Sequence, residues 1–274
     1  MQTTYTWSKA LGTVGSGNAN PLDRSEDYSK PTSSITHDFR TNGTVELPIG
    51  PNKLIMGNSS GWLARIVERW QTSLIFNASS GSPNTITAGA LNYATTAAAD
   101  VVGPWNVRSG HMEWDGSKNQ GYYFGNPSPY LVVPDPQCAQ TRSVVDPTGF
   151  RLDSVNCSLT AIAKAVDPGT PGAVTIPGTG AVQYLLVNPQ PGKQGTLGLA
   201  TVESLGIYRF DANLSKSFRI DEKKSLQIRV DATNVLNHPQ IGNPSFSINS
   251  PNFGLVTTDK TGTRSFQGSL RFLF

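Results

Sequence analysis

The chain has 274 residues, of which only 15% are charged and 37% hydrophobic, and its net charge is +3. Globular chains carry roughly 25% charged residues. This one is filled out instead by Thr, Ser, Asn and Gln, by 27 glycines and by 19 prolines, a composition that suits strands, turns and long polar loops and excludes a helical protein. The small, dispersed positive excess excludes nucleic-acid binding.

Period-two patterning appears first over residues 3–9, where Thr3, Tyr5 and Trp7 share one parity and Gln2, Thr4, Thr6 and Ser8 the other. Alternation of this kind puts the two sets on opposite faces of a strand. After a polar loop over 11–34, a second strand is predicted over 35–47, with Ile35, His37, Phe39, Val45 and Leu47 opposed to Thr36, Asp38, Arg40, Asn42, Thr44 and Glu46. The Pro-Ile-Gly-Pro-Asn run at 48–52 reads as a turn, and 61–69 as a short helical turn. A third strand is predicted over 70–79, with Trp70, Thr72, Leu74, Phe76 and Ala78 on one side.

Residues 80–205 show no sustained period, apart from a local strand expected over 181–187. The clearest pattern follows. Tyr208, Phe210, Ala212, Leu214, Lys216, Phe218 and Ile220 alternate with Arg209, Asp211, Asn213, Ser215, Ser217 and Arg219. A charged turn at 221–224 joins this strand to one over 225–234, and the pair reads as a hairpin. After a loop over 237–263 comes the last strand, 264–274, with Phe266, Gly268, Leu270, Phe272 and Phe274 in phase.

No run approaches the length of a membrane-spanning helix, but strands with one apolar and one polar face need none. Connections read as long after the first, third and fifth strands and short after the second and fourth. Together with the terminal aromatic strand, this predicts an all-β fold: an antiparallel up-and-down transmembrane β-barrel segment of about six strands, an incomplete barrel with long extracellular loops. The last strand then descends to the periplasm, the turns at 48–52 and 221–224 are periplasmic, and 80–205 is extracellular. Localisation in an outer membrane of the Gram-negative type follows, with outer-membrane lipid against the apolar faces. Cys138 and Cys157 lie in that outer loop and are read as one disulfide, which would contribute about 3 kcal/mol; two free thiols are the alternative.

The inward charges Arg209, Asp211, Arg229, Asp231 and Arg271 are expected to line the lumen and to pair across strands. Tyr5, Trp7, Trp70, Tyr208, Phe272 and Phe274 fall near strand ends, as interfacial aromatics do. Trp105, Trp114, Tyr122, Tyr123 and Tyr130 are candidates for stacking on an extracellular ligand, with ordinary loop packing as the simpler reading. His37, His111 and His238 are too far apart in sequence for a metal motif. No phosphate loop or nucleophile elbow is present, so no catalytic residue, cofactor or metal is expected, and the chain is read as a non-enzyme.

Several runs carry a family resemblance: Tyr5–Lys9, Asn20–Arg24, His37–Arg40, Glu46–Gly50, Gly81-Ser82-Pro83 and Phe210–Phe218. The most specific are Asp231–Pro244, containing Asn-Val-Leu-Asn-His-Pro-Gln, and Ser250–Gly254. Together they resemble the C-terminal barrel portion of TonB-dependent outer-membrane receptors, of the Oar-like group with a carboxypeptidase-regulatory-like domain that is abundant in Acidobacteria. The resemblance thins out between residues 84 and 188. It implies import of an unidentified ligand by a parent barrel of about 22 strands, with a plug that contacts TonB. It also implies that Phe266, Leu270, Phe272 and Phe274 are read by the barrel assembly machinery. Signal peptide and plug have no counterpart in 1–274, so the resemblance implies a fragment of a longer gene or an internal start. A secreted β-sandwich that binds carbohydrate, or a small adhesin or porin, are the alternatives.

Overall fold

The structure, a computed structural model, describes residues 1–13, 24–88, 98–106, 111–140, 144–145, 151–152, 158–190, 193–221, 224–257 and 262–274. Six long strands carry the architecture: β1 (Gln2–Trp7), β2 (His37–Glu46), β3 (Trp70–Ser79), β4 (Ile207–Arg219), β5 (Ser225–Thr233) and β6 (Ser265–Leu273). They lie side by side in chain order in one sheet, and every neighbouring pair is antiparallel. This is the up-and-down meander expected from the alternation, with the predicted bounds shifted by one or two residues. The sheet is open, with β1 and β6 at its edges.

Register determines what each face presents, because residues directly opposite one another share a face. Tyr5 stands across from Phe39, Phe39 from Ala78, and Ala78 from Tyr208. Farther along, Phe218 stands across from Leu226, and Leu226 from Phe272. All six apolar sets therefore fall on one face, and no layer packs on it. Trp7, Leu74, Leu214, Val230, Phe266 and Leu270 are exposed. The whole chain exposes 16957 Å², against about 11,500 Å² for a compact soluble chain of this mass. The apolar face of the sheet is thus left uncovered by protein among the described residues. At roughly 3.4 Å per residue the strand path from Tyr208 to Phe218 is about 34 Å. A tilt of ~40° reduces this to about 26 Å, close to the height of the apolar band of an outer-membrane barrel.

Antiparallel order sends the connections 8–36, 80–206 and 234–264 to one end of the sheet, and 47–69 and 220–224 to the other. The first group forms a cap: 80–205, where the sequence shows no sustained period, carries several short strands, among them Gly180–Val187, expected as a local strand over 181–187. Its main sheet pairs Leu131–Pro134, Thr160–Ala165, Gly180–Val187 and Ala173–Ile176 in that order. Among the described residues, every buried hydrophobic side chain lies outside the six long strands. Ile86, Tyr123, Ile162, Leu185, Leu186 and Val202 from 80–206 pack with Phe246, Ile248 and Phe253 from 234–264. Lys30, from the first connection, reaches Glu203 at 3.3 Å. The connection 47–69 is longer than the short periplasmic turn expected after the second strand, and the helical turn expected over 61–69 is present as the helix α1 (Gly61–Val67).

Two motifs acquire a physical reason. A Cβ on Gly81 would fall 1.7 Å from the Ser204 carbonyl oxygen. At this junction Ser204 N donates to Ser82 O and Ser82 N to Ser204 Oγ, both at 2.8 Å, so the cap is stapled to the ends of β3 and β4 where only glycine fits. The Asn-rich exit of β5 works through left-handed backbone, which Asn tolerates. Asn234 and Asn237 have φ of 49° and 50°, Asn234 N donates to Asp211 Oδ1 at 2.8 Å, and His238 N donates to Asn234 Oδ1 at 2.9 Å.

The two halves of the cap are latched by a buried polar knot. Asp135, 1% exposed, accepts hydrogen bonds from Gln137 N, Asn188 N and Asn188 Nδ2 at 2.8, 2.8 and 2.9 Å. Asn249 Nδ2 donates to Asn188 Oδ1 at 2.7 Å, and Thr160 Oγ1 donates to Ile248 O at 2.6 Å. Asp135→Ala leaves buried donors without an acceptor, so the cap should lose about 2–4 kcal/mol. Denaturant unfolding followed by tryptophan fluorescence reads this, and a midpoint equal to that of the unaltered protein contradicts it.

Candidate functional site

The face opposite the apolar one is the candidate site. Gln71, Ser73, Asn77 and Ser79 come from β3, and Arg209, Asp211, Asn213 and Ser215 from β4. Arg229 and Asp231 follow on β5, and Arg271 on β6, across from Gln227. The predicted lumen-lining residues therefore share one face. Their pairing differs from expectation. Arg40 binds Asp38 at 2.7 Å, Arg209 binds Asp211 at 2.9 Å, and Arg229 binds Asp231 at 2.5 Å. Each pair lies along one strand, two residues apart, and not across strands. Residues i and i+2 sit about 7 Å apart on the same face, a gap the long Arg side chain closes. The partner directly across is neutral in these rows: Asn77 for Arg40 and Arg209, Ser215 for Arg229, and Asn213 for Asp231. Exposed pairs of this kind contribute about 0.2–1 kcal/mol each, so their main effect is a polar surface with balanced charge.

Where this face meets the cap there is a recess of about 380 Å³, with Asp38, Arg40, Asn77, Ser79, Arg209 and Gln240 among its lining. An adjoining recess of about 240 Å³ shares Arg209 and Gln240 and adds Asn234 and His238. His238 stacks on Tyr208 with ring centroids 3.9 Å apart. His37 accepts from or donates to the Tyr5 hydroxyl through Nδ1 at 2.9 Å, depending on its tautomer. Among the described residues no group of His, Cys, Asp and Glu is arranged to hold a metal.

Three of the five aromatic candidates, Trp105, Tyr123 and Tyr130, pack in or against the cap core, and Tyr123 and Tyr130 also line a recess of about 320 Å³ with His111 and Glu113. Tyr123 is completely buried and donates its hydroxyl hydrogen to Glu203 O at 2.5 Å. Trp105 and Tyr130 pack against the same core with ring centroids 4.9 Å apart. Trp114 and Tyr122 are half-buried on the small strands Glu113–Asp115 and Gln120–Tyr122. Gly254, at φ 73°, lies so close to Phe124 that a Cβ would meet its ring at 2.4 Å. Cys138 is disulfide-bonded; Cys157, the chain's other cysteine, lies outside the described residues.

On the last strand Phe266, Leu270 and Phe272 project from the apolar face, and Phe274 is 92% exposed. Sequence reasoning missed Lys216. It sits on the apolar face opposite Trp70 and Ile228 yet is only 3% exposed. Its ammonium lies 5.0 Å from the Phe218 ring centroid and donates to the Glu68 carbonyl. The available signal was one cation within an otherwise apolar parity set.

The model of the family described as Outer membrane beta barrel domain matches residues 1–267. No curated protein and no solved structure matches the chain.

In the cap, the Glu113 carboxyl is held below its ordinary range by the Asn126 backbone N–H, 2.9 Å away, and next by His111, at 3.5 Å. A depressed carboxyl pKa contributes stability above its unfolded value and loses it as pH falls through the folded one. The Asn126 amide should therefore exchange with solvent faster as pH falls below the ordinary carboxylate range, and Glu113→Gln should flatten that dependence. Hydrogen exchange corrected for intrinsic rates tests this, and an unchanged pH profile in the variant refutes it.

Proposed function

We propose, from the premise that this chain belongs to the outer membrane beta barrel domain family, that it forms part of the wall and the extracellular cap of a TonB-dependent transporter. The observation that carries this reading is the registered two-faced sheet. Six strands present one continuous apolar face and one polar, charge-balanced face, with a folded cap at the end reached by connections 8–36, 80–206 and 234–264. The apolar face meets outer-membrane lipid and the polar face lines the lumen. Closure of an outer-membrane barrel takes eight strands or more, and the unpaired edges of β1 and β6 are where further strands add. The resemblance of Asp231–Pro244 to the receptor motif supports the finer assignment. A small adhesin or porin closed by this chain alone is disfavoured by the six-stranded open sheet.

In this reading the cap roofs the lumen outside the cell, and solutes reach the recess beside Arg209 from above. The plug that contacts TonB packs on the polar face. No side chain on that face is assigned a catalytic role.

Two outcomes are expected. An antibody to the cap should detect, in outer membranes, a barrel assembly larger than 274 residues supply. Uptake through it should stop when TonB is deleted. A species of 274 residues that forms a closed, heat-modifiable barrel by itself, with TonB-independent solute flux, would instead favour the small porin. Removal of Phe274 should lower the amount assembled in the outer membrane several-fold, as expected if the assembly machinery reads the terminal aromatic strand. Unchanged assembly in fractionated membranes counts against that role.

A further inference from the structure

The connection 47–69, at the end of the sheet opposite the cap, does not behave as a plain periplasmic turn. Its backbone is tightly organised. Gly50 N donates to Ile55 O, Ile55 N to Pro48 O, and Asn52 N to Gly57 O, at 2.9, 2.9 and 3.1 Å. This knot holds three consecutive apolar side chains outward: Leu54 is 89% exposed, Ile55 48% and Met56 45%. The α1 helix that follows has no buried residue. It presents Trp62, 75% exposed, and Ile66, one turn later, on a single face. Five large apolar side chains held outward by an ordered backbone are not expected of a turn bathed in water.

The segment adjoins the apolar band of the sheet. Ile66 O accepts the Trp70 indole N–H at 2.9 Å, Leu47 N donates to Trp70 O at 2.8 Å, and Glu68 O accepts the Lys216 ammonium. Trp70 and Lys216 both belong to the apolar face. Charge is also slightly one-sided: Lys53 pairs with Glu46 at 2.6 Å, while Arg65 and Arg69 stand against the single acid Glu68 of 47–69. Apolar anchors flanked by cations fit the boundary between acyl chains and anionic headgroups.

We infer that residues 47–69 form an interfacial element that seats Leu54, Ile55, Met56, Trp62 and Ile66 in the headgroup–acyl boundary of an anionic phospholipid leaflet. The inference rests on the reading that the apolar face of the sheet meets lipid. It goes beyond that reading by adding a contact that runs parallel to the membrane plane. Lys216 ties the segment to the sheet at the same level, its ammonium near the Trp70 and Phe218 rings and bound to the Glu68 carbonyl of 47–69.

The test uses the full protein, purified from the outer membrane and reconstituted in vesicles of phosphatidylethanolamine with and without phosphatidylglycerol. An environment-sensitive fluorophore is placed in separate variants at Leu54→Cys, Trp62→Cys and, as the sheet reference, Leu270→Cys. Nitroxide lipids labelled at shallow or deep acyl positions and aqueous iodide serve as quenchers. Labels at 54 and 62 should lose emission to the shallow nitroxide and roughly half as much to the deep one, as for groups seated about 5–10 Å into the boundary. The label at 270 should respond to the deep nitroxide, and phosphatidylglycerol should strengthen shallow quenching at 54 and 62. If 270 responds to lipid while 54 and 62 respond only to iodide, the interfacial element is refuted and the barrel reading stands. If 54 and 62 are shielded from every quencher, protein covers the segment and the inference is wrong. If 270 itself responds only to iodide, both readings fall.

Discussion

The structure depends on register. A one-residue slip in any of the five pairings would turn a strand over and move its apolar set to the polar side. Instead, the rows from Tyr5 through Phe39 and Ala78 to Tyr208, and from Phe218 through Leu226 to Phe272, stay in phase across the sheet. On the proposed transporter reading, lipid and not a second protein layer rewards this alignment. Burying apolar surface in an acyl phase is favourable at about 25 cal/mol per Å², and every strand contributes. The polar face is then left to water and has no core to build. Three of its arginines are neutralised along their own strands, Arg40 with Asp38, Arg209 with Asp211 and Arg229 with Asp231, which leaves Asn77, Asn213 and Ser215 as neutral cross-strand neighbours.

With the sheet's apolar surface directed outward, the aqueous hydrophobic core has to form elsewhere. It forms where the connections 80–206 and 234–264 converge, around Tyr123, Ile162, Leu186 and Phe246. Short pieces of strand from distant parts of the chain meet there, and the knot of Asp135, Asn188 and Asn249 ties them. The Gly81–Ser204 junction transmits this order to the ends of β3 and β4. The cap and the sheet thus follow different physics: the cap is closed by burial and satisfied polar groups, the sheet is held by ladder hydrogen bonds with its apolar face left uncovered.

Legibility in the sequence tracks the range of the interaction. Ile207–Arg219 and Trp70–Ser79 were readable because a strand with two different solvents on its two sides must alternate, and alternation is a local property. Apart from Gly180–Val187, expected as a local strand over 181–187, the cap was not readable. Val202–Glu203, which pairs with Pro83–Asn84, and Gln120–Tyr122, which pairs with Leu255–Val256, are two or three residues long and show no period. Tyr123 looked like a surface aromatic in a polar loop, and only Phe246 and Phe253, far along the chain, make it a core residue. The connection 47–69 was hidden for a related reason. Its turn residues are visible, but the outward setting of Leu54–Met56 is produced by hydrogen bonds from Gly50 and Asn52 across the loop.

The sequence by itself determined the six strands, their two-faced character and the end of the sheet to which each connection goes, because side-chain alternation and antiparallel order need only neighbours along the chain. Tertiary structure alone decided that Arg and Asp pair along strands, that Trp105, Tyr123 and Tyr130 pack in or against the cap core, that Lys216 is shielded by Trp70, Phe218 and Glu68, and that 47–69 holds five large apolar side chains outward. Those outcomes depend on which distant segments meet, and contacts of that kind leave no period for a sequence to show.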